Sequence, residues 1–79
     1  MSFQAELKRI RQRCFLSQQA FAKEINVDFS TVNHWESGKT MPNLAAMKSI
    51  KEFCSKNDVD YASLEELWLD LGTKVKQHD

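Results

Sequence analysis

The sequence predicts an all-α domain of five helices, and three observations support this. Apolar residues recur every three or four positions in successive segments, which is the period of a helix with one buried face. Only two glycines and one proline occur among the 79 residues. Short polar residues precede most of the periodic segments, where their side chains can cap the free amides of a helix. We expect one domain covering residues 1–79, close to the lower size limit for a self-sufficient core.

The first predicted helix runs from about Phe3 to Arg13. Its apolar stripe follows the spacing i, i+4, i+7 and i+11 and consists of Phe3, Leu7, Ile10 and Cys14. Phe15 and Leu16 then lead into a second helix, which is capped by Ser17. That second helix is short, and its inward face consists of Ala20, Phe21, Ala22 and Ile25.

A tight turn is predicted between the second and third helices. Asn26 tolerates the left-handed conformation that ends a helix, and Asp28 is a favourable N-cap for the next one. Val32 and Trp35 are three residues apart, so both face inward, and Gly38 ends the third helix. Two helices joined by a turn of this length form a helix-turn-helix, whose second helix can enter the major groove of DNA.

Two further helices follow the loop from Gly38 to Pro42. Asn43 caps the fourth helix, whose apolar positions are Leu44, Met47, Ile50 and Cys54. A polar break at residues 55–58 separates it from a fifth helix at about 61–73. Ser63 and Glu66 fit a capping box at the start of this helix, and its apolar face consists of Leu64, Leu67, Trp68 and Leu71.

The charges are divided unevenly along the chain, although the formal net charge is zero. Residues 1–51 hold eight basic and four acidic side chains, whereas residues 52–79 hold three basic and seven acidic ones. A chain polarised in this way can present a basic face to phosphates while its acidic end points away. The zero net charge therefore does not argue against a nucleic-acid partner.

The segment from Ser17 to Pro42 resembles the lambda-repressor-like, Cro/repressor-type (XRE) helix-turn-helix family. The resemblance extends over about residues 7–53 and rests on Ser17-Gln18, Ala22, Val32, Trp35-Glu36, Gly38-Lys39 and Pro42. It implies a five-helix lambda-repressor-like DNA-binding domain with its recognition helix at about residues 29–37. The implied function is that of a sequence-specific, repressor-like transcriptional regulator that binds double-stranded DNA as a dimer. No apolar run approaches the length of a membrane span and no signal-peptide pattern opens the sequence, so we expect the protein in the cytoplasm.

The resemblance places Phe29, Ser30 and His34 towards base edges, with Thr31 and Asn33 nearer the DNA backbone. Phe29 could pack on a thymine methyl group and His34 could donate to a guanine acceptor, whereas Ser30 discriminates weakly because it can bond to almost any base. For Phe29, a core contact or a patch for a protein partner is an almost equally good interpretation. For His34, the alternative is an ordinary solvated histidine.

Backbone contacts and one ion pair complete the predicted site. Gln18, at the start of helix two, is placed to donate to a phosphate. Lys39 and Thr40 belong to the loop that touches backbone phosphates in relatives. The family also pairs an arginine late in helix one with the glutamate after the tryptophan, which predicts a partly buried structural ion pair between Arg11 and Glu36.

The predicted partners are double-stranded DNA and a second copy of the chain, bound through Leu69 and Tyr61 of helix five. The alternative is an antitoxin-like interaction module that holds a protein partner through its acidic C-terminal helix and autoregulates through the helix-turn-helix. The sequence contains no catalytic constellation, metal-ligand spacing or membrane span, so we expect no enzyme, no cofactor and no metal. Cys14 and Cys54 are expected to be buried free thiols.

Overall fold

The computed structural model describes residues 2–76, and the side chains of residues 2–70. Over this range the chain forms five helices: α1 (Phe3–Arg13), α2 (Gln18–Glu24), α3 (Phe29–Glu36), α4 (Leu44–Lys56) and α5 (Ala62–Lys76). No strand occurs among these residues. The predicted all-α class is confirmed, and so are the bounds of the first helix.

Polar side chains cap the N-termini of three helices, two of them at the predicted residues Ser17 and Asn43. Ser2, Ser17 and Asn43 each accept a hydrogen bond from the backbone amide three residues further on, at 2.9–3.2 Å. Asp28 occupies the N-cap of α3 with an extended backbone, but its carboxylate makes no capping bond. The prediction for Asp28 is therefore right about the position and wrong about the interaction.

The turn between α2 and α3 depends on a left-handed residue at its centre. Asn26 has φ of 62°, as predicted, and the next amide, that of Val27, returns to the carbonyl of Ala22 at 2.9 Å. The Val27 side chain then packs against the core. At the other end of α3, Gly38 has φ of 81°, and a Cβ there would lie 2.9 Å from Nε2 of Gln4. A left-handed residue thus lies at each junction of α3 with its neighbours.

All five helices contribute to one core. Its aromatic centre is an edge-to-face contact between Phe21 of α2 and Phe53 of α4, with ring centroids 5.2 Å apart. The buried apolar residues are Phe3, Leu7, Ile10, Phe21, Ala22, Ile25, Val32, Trp35, Met47, Ile50, Phe53, Cys54 and Leu64. Phe15 is the opposite case: it has φ of 59° and is 95% exposed.

The capping box predicted for α5 is wrong. The helix begins at Ala62, whose amide donates to the carboxylate of Asp60 at 3.0 Å. Ser63 lies inside the first turn, and its hydroxyl donates to Oε2 of Glu6 in α1 at 2.7 Å. A tertiary contact thus uses the hydroxyl that the local pattern assigns to capping. Leu71, predicted for the apolar face, lies outside the residues whose side chains are described.

Glu6 is a buried carboxylate that ties α1 to α5. It is 1% exposed, and Arg9 donates to it twice, at 3.0 and 2.8 Å, in addition to Ser63. The hydrogen bond from Arg9 is the main reason that the pKa of Glu6 lies below its ordinary value of 4.5, with the bond from Ser63 acting in the same direction against the cost of burial. The charged form of Glu6 is therefore the one that the fold stabilises.

Tyr61, just before α5, and Trp68, within it, attach this helix to the rest of the protein. The hydroxyl of Tyr61, just before the helix, donates to the carbonyl of Met47 at 3.2 Å. The indole Nε1 of Trp68 donates to the carbonyl of Pro42 at 2.8 Å. Burial raises the pKa of Tyr61 to about 12. The Tyr61 side chain packs against the core and also lines a groove between α4 and α5, so its part in a dimer contact stays a prediction.

Candidate nucleic-acid interface

One face of α3 is fixed by apolar contacts with the rest of the protein, and the opposite face is exposed to solvent. Val32 and Trp35 of α3 are 0% and 3% exposed, and the helix lies against α1 and α2. Their i, i+3 spacing puts both on one face. The opposite face carries short polar side chains and one aromatic ring. The two helices that the sequence assigns to a helix-turn-helix thus pack against each other, and exposed side chains of α3 lie on its outward side.

The candidate base-reading residues lie on this outward face. Phe29 is 51% exposed, so it is not a core residue, and the core-contact interpretation is wrong. Ser30 is exposed as well, and His34 is half-buried. Of the two residues assigned to the backbone, Asn33 is exposed and Thr31 is half-buried.

An ion pair joins the end of α1 to the end of α3 beneath this face. The guanidinium of Arg11 donates to both carboxylate oxygens of Glu36, with Nε–Oε2 and Nη2–Oε1 distances of 2.7 and 2.9 Å. A third bond, from Nη1, goes to the carbonyl of Leu16 at 2.8 Å. The two side chains are 10% and 4% exposed. The bonds to Glu36 raise the pKa of Arg11, against the cost of burial.

The side chain of Gln18 extends this pair to the surface. Its Nε2 donates to Oε1 of Glu36 at 3.0 Å, and its Oε1 accepts from Nδ2 of Asn33 at 3.1 Å. Four side chains from three helices therefore form one hydrogen-bonded chain, in the order Arg11, Glu36, Gln18, Asn33. The sequence predicts the first pair through the family resemblance, but it gives no signal for the contact between Gln18 and Asn33, which lie 15 residues apart.

The loop after α3 is fastened to the carbonyl of His34. The backbone amides of Lys39 and Thr40 both donate to this oxygen, at 2.9 and 3.4 Å, and so does the hydroxyl of Ser37 at 3.2 Å. The side chains of Lys39 and Thr40 are exposed. The candidate phosphate-contacting residues of the loop thus lie next to the last turn of α3.

The described part of the chain gives no other candidate site of comparable detail. Among residues with described side chains, no three histidine, cysteine, aspartate or glutamate side chains are grouped as they would be around a metal ion. Within the same described part, no helix has the length and apolar character needed to cross a membrane. Cys14 and Cys54 are both free thiols, but only Cys54 is buried; Cys14 is partly exposed, so the prediction of a buried thiol is wrong for it.

Together, the two-helix unit and its polar outward face define a helix-turn-helix protein. The helix-turn-helix family model matches residues 7–56, and the chain belongs to this Cro/C1-type family, the XRE group. The curated proteins include a similar one, the HTH-type transcriptional activator BcrR of Enterococcus faecalis. The two are 34% identical over 67 residues, which are 85% of this chain and 33% of BcrR. The chain thus spans about a third of that relative's length, and no solved structure matches it.

Proposed function

We propose that this chain binds double-stranded DNA with α3 in the major groove and regulates transcription from the site it binds. The observation that carries the proposal is the outward face of α3, which is polar and solvent-accessible while Val32 and Trp35 fix the helix from behind. An α-helix fits the width of the major groove, where each base pair presents a distinct pattern of donors and acceptors. Family membership and the transcriptional relative support the same conclusion.

Base reading falls to Phe29, Ser30 and His34 in this proposal. Phe29 presents an apolar ring that suits the methyl group of thymine, and the imidazole of His34 can donate to the acceptors of guanine. The hydroxyl of Ser30 both donates and accepts, so it contributes little discrimination. The specificity should therefore come from two positions near the two ends of α3.

Binding of the DNA backbone, or orientation of the side chains that bind it, falls to residues at the edges of that face, namely Gln18, Thr31, Asn33, Lys39 and Thr40. Lys39 supplies a positive charge, and the other four supply neutral donors. Contacts of this kind fix the register of a protein on the duplex without reading sequence. With few charged contacts per copy, one copy alone should bind modestly, and its affinity should fall as salt is added.

Selection of bound duplexes from a random pool tests the sequence-reading part. The purified protein at moderate salt should enrich a motif, and His34→Ala should weaken binding to that motif by about 1–3 kcal/mol while leaving mixed-sequence binding nearly unchanged. Gln18→Ala is the matched control, since it should weaken all duplexes by a similar factor. A folded protein that enriches no motif would contradict sequence-specific binding and favour the interaction-module alternative.

We further propose that the active species is a two-fold dimer. An open groove of about 330 Å³ lies between α4 and α5, with Leu44 and Leu69 exposed on its rim. This α4–α5 groove also carries Lys48 and Lys51 on α4 and Glu65 on α5, so a second copy related by a two-fold axis could place opposite charges across it. Two recognition helices would then reach half-sites about 34 Å apart on one side of the duplex.

Sedimentation of Leu69→Glu tests the dimer. The wild type should sediment as a dimer at high protein concentration and the variant as a monomer, because a dimer through this groove would have to bury the introduced charge beside apolar groups, which is costly. Phe15→Glu is the matched control: it puts the same charge on an exposed apolar residue outside the α4–α5 groove. Equal masses for wild type and Leu69→Glu would contradict a dimer through this surface.

The direction of regulation is proposed to be repression in the cytoplasm, through occupation of promoter DNA by the bound dimer. BcrR, by its name, activates transcription, and this chain corresponds to only a third of it. A promoter–reporter fusion carrying the selected motif distinguishes the two directions. Lower expression in the presence of the chain supports repression, and higher expression contradicts it.

A further inference from the structure

We propose that Asn33 is a positioning residue, which fixes the Gln18 carboxamide so that its free N–H points at a DNA phosphate. The inference rests on the proposed function and goes beyond it in assigning Asn33 to the orientation of Gln18. It starts from the hydrogen-bonded chain that runs from Arg11 through Glu36 and Gln18 to Asn33.

The buried carboxylate of Glu36 determines the donor–acceptor direction of these hydrogen bonds. An ionised Glu36 can only accept hydrogen bonds, so the group of Gln18 that faces it at 3.0 Å must be the NH2. The carbonyl of Gln18 then faces the other way, towards Asn33 at 3.1 Å. Since a carbonyl can only accept, Asn33 must present its own NH2. The ion pair with Arg11 therefore determines which atoms two surface amides turn towards each other.

The bond from Asn33 adds something that the bond to Glu36 cannot supply. With Glu36 alone, the carboxamide of Gln18 is held at one corner and can turn about that hydrogen bond. A second bond at the opposite corner, on Oε1, fixes the plane of the amide. Nε2 has two N–H groups, and Glu36 takes one of them. The second N–H group of Nε2 then points in one fixed direction. It belongs to a side chain that is only half-buried.

A fixed donor binds better than a mobile one because its freedom is lost before binding. Gln18 carries no charge, so its contribution to phosphate binding depends on the direction of its N–H. Phe29, on the first turn of α3, cannot orient Gln18 through a hydrogen bond, because its side chain has no donor or acceptor. In the described structure, the α3 side chains that bond to Gln18 are those of Glu36 and Asn33. The effect of Asn33 on DNA binding should therefore pass through Gln18.

A double-mutant cycle on a duplex of mixed sequence tests this inference. Asn33→Ala should weaken binding about three- to tenfold, the range of one hydrogen bond. In the Gln18→Ala background the same substitution should have almost no further effect, because the group that it positions is gone. Lys39→Ala is the control: within the described residues no hydrogen bond joins Lys39 to Gln18, so the fold-losses in affinity from Lys39→Ala and Gln18→Ala should multiply.

A measurement on the free protein separates this inference from the proposed function. The side-chain amide signals of Gln18 in a nitrogen–proton NMR spectrum should shift in Asn33→Ala, while the melting temperature stays close to that of the wild type. Unchanged Gln18 signals, or independent effects of Asn33→Ala and Gln18→Ala on binding, would overturn the inference alone. A folded wild type that binds no duplex would overturn the proposed function and the inference with it.

Discussion

Loss of one member of the Arg11–Glu36 pair should destabilise the protein more than loss of both. Arg11→Met keeps most of the aliphatic stem of the side chain but removes three hydrogen bonds, two to Glu36 and one to the carbonyl of Leu16. The carboxylate of Glu36, 4% exposed, then keeps Gln18 as its remaining donor. A buried charge deprived of its partner costs about 3–5 kcal/mol.

The magnitude is large for a chain of this size. At roughly 0.05–0.15 kcal/mol per residue, 79 residues correspond to a free energy of unfolding of about 4–12 kcal/mol. Arg11→Met should therefore remove about a quarter or more of the stability. The double variant Arg11→Met/Glu36→Leu leaves no charge behind, and replacing a buried pair with apolar groups is often close to neutral. It should be more stable than Arg11→Met alone.

Equilibrium unfolding in urea, extrapolated linearly to water, measures these differences, provided that the slope stays constant among the variants. Arg13→Met is the matched control: it makes the same substitution at an exposed position of α1 and should change the stability by less than about 0.5 kcal/mol. If the double variant lost as much stability as the two single variants added together, the pair would not be coupled and the reasoning would be refuted.

Three more results are expected. Phe15→Gly should raise the free energy of unfolding by roughly 0.5–1 kcal/mol in urea, because a left-handed backbone disfavours any side chain; Phe15→Ala, which keeps the Cβ, should not. Stability should fall as the pH drops through the lowered pKa of Glu6, because above that pKa the native state binds fewer protons than the unfolded state; Glu6→Gln should flatten this dependence. Burial raises the pKa of Cys54 to about 11, so in the folded protein thiol reagents should modify the partly exposed Cys14 first, as mass spectrometry of peptides can show.

The local features of the fold could be predicted because the information for them lies within a few residues. Helical spacing gave the bounds of α1, and the cap at Ser17 and the left-handed turn at Asn26 each depend on short-range sterics or hydrogen bonds. The wrong capping box at α5 shows where such local information is insufficient. Ser63 fits a capping pattern, but Glu6, 57 residues away, takes its hydroxyl, and no local pattern contains that partner.

The candidate site shows the same difference between local features, which could be predicted, and long-range contacts, which local patterns do not contain. The resemblance suggested which positions of α3 face outward, and the burial of Val32 and Trp35 agrees with the periodicity. Hydrogen bonds between side chains of different helices were harder to predict from the sequence. The bond between Gln18 and Asn33, for example, depends on how α2 crosses α3. Phe15 shows a further limit, since an apolar residue next to a helix suggests burial, whereas its backbone conformation leaves the ring in solvent.

The bond from Trp68 to Pro42 has a spectroscopic consequence. The chain has two tryptophans, and they occupy different environments: Trp35 lies in the core, and Trp68 is half-buried with its indole N–H on the backbone of the loop that follows α3. Emission from Trp35 should therefore follow the opening of the core, whereas emission from Trp68 should follow the loop. With Trp35→Phe and Trp68→Phe variants, the protein carries its own separate optical probes for unfolding and for contact at the loop, without any attached dye.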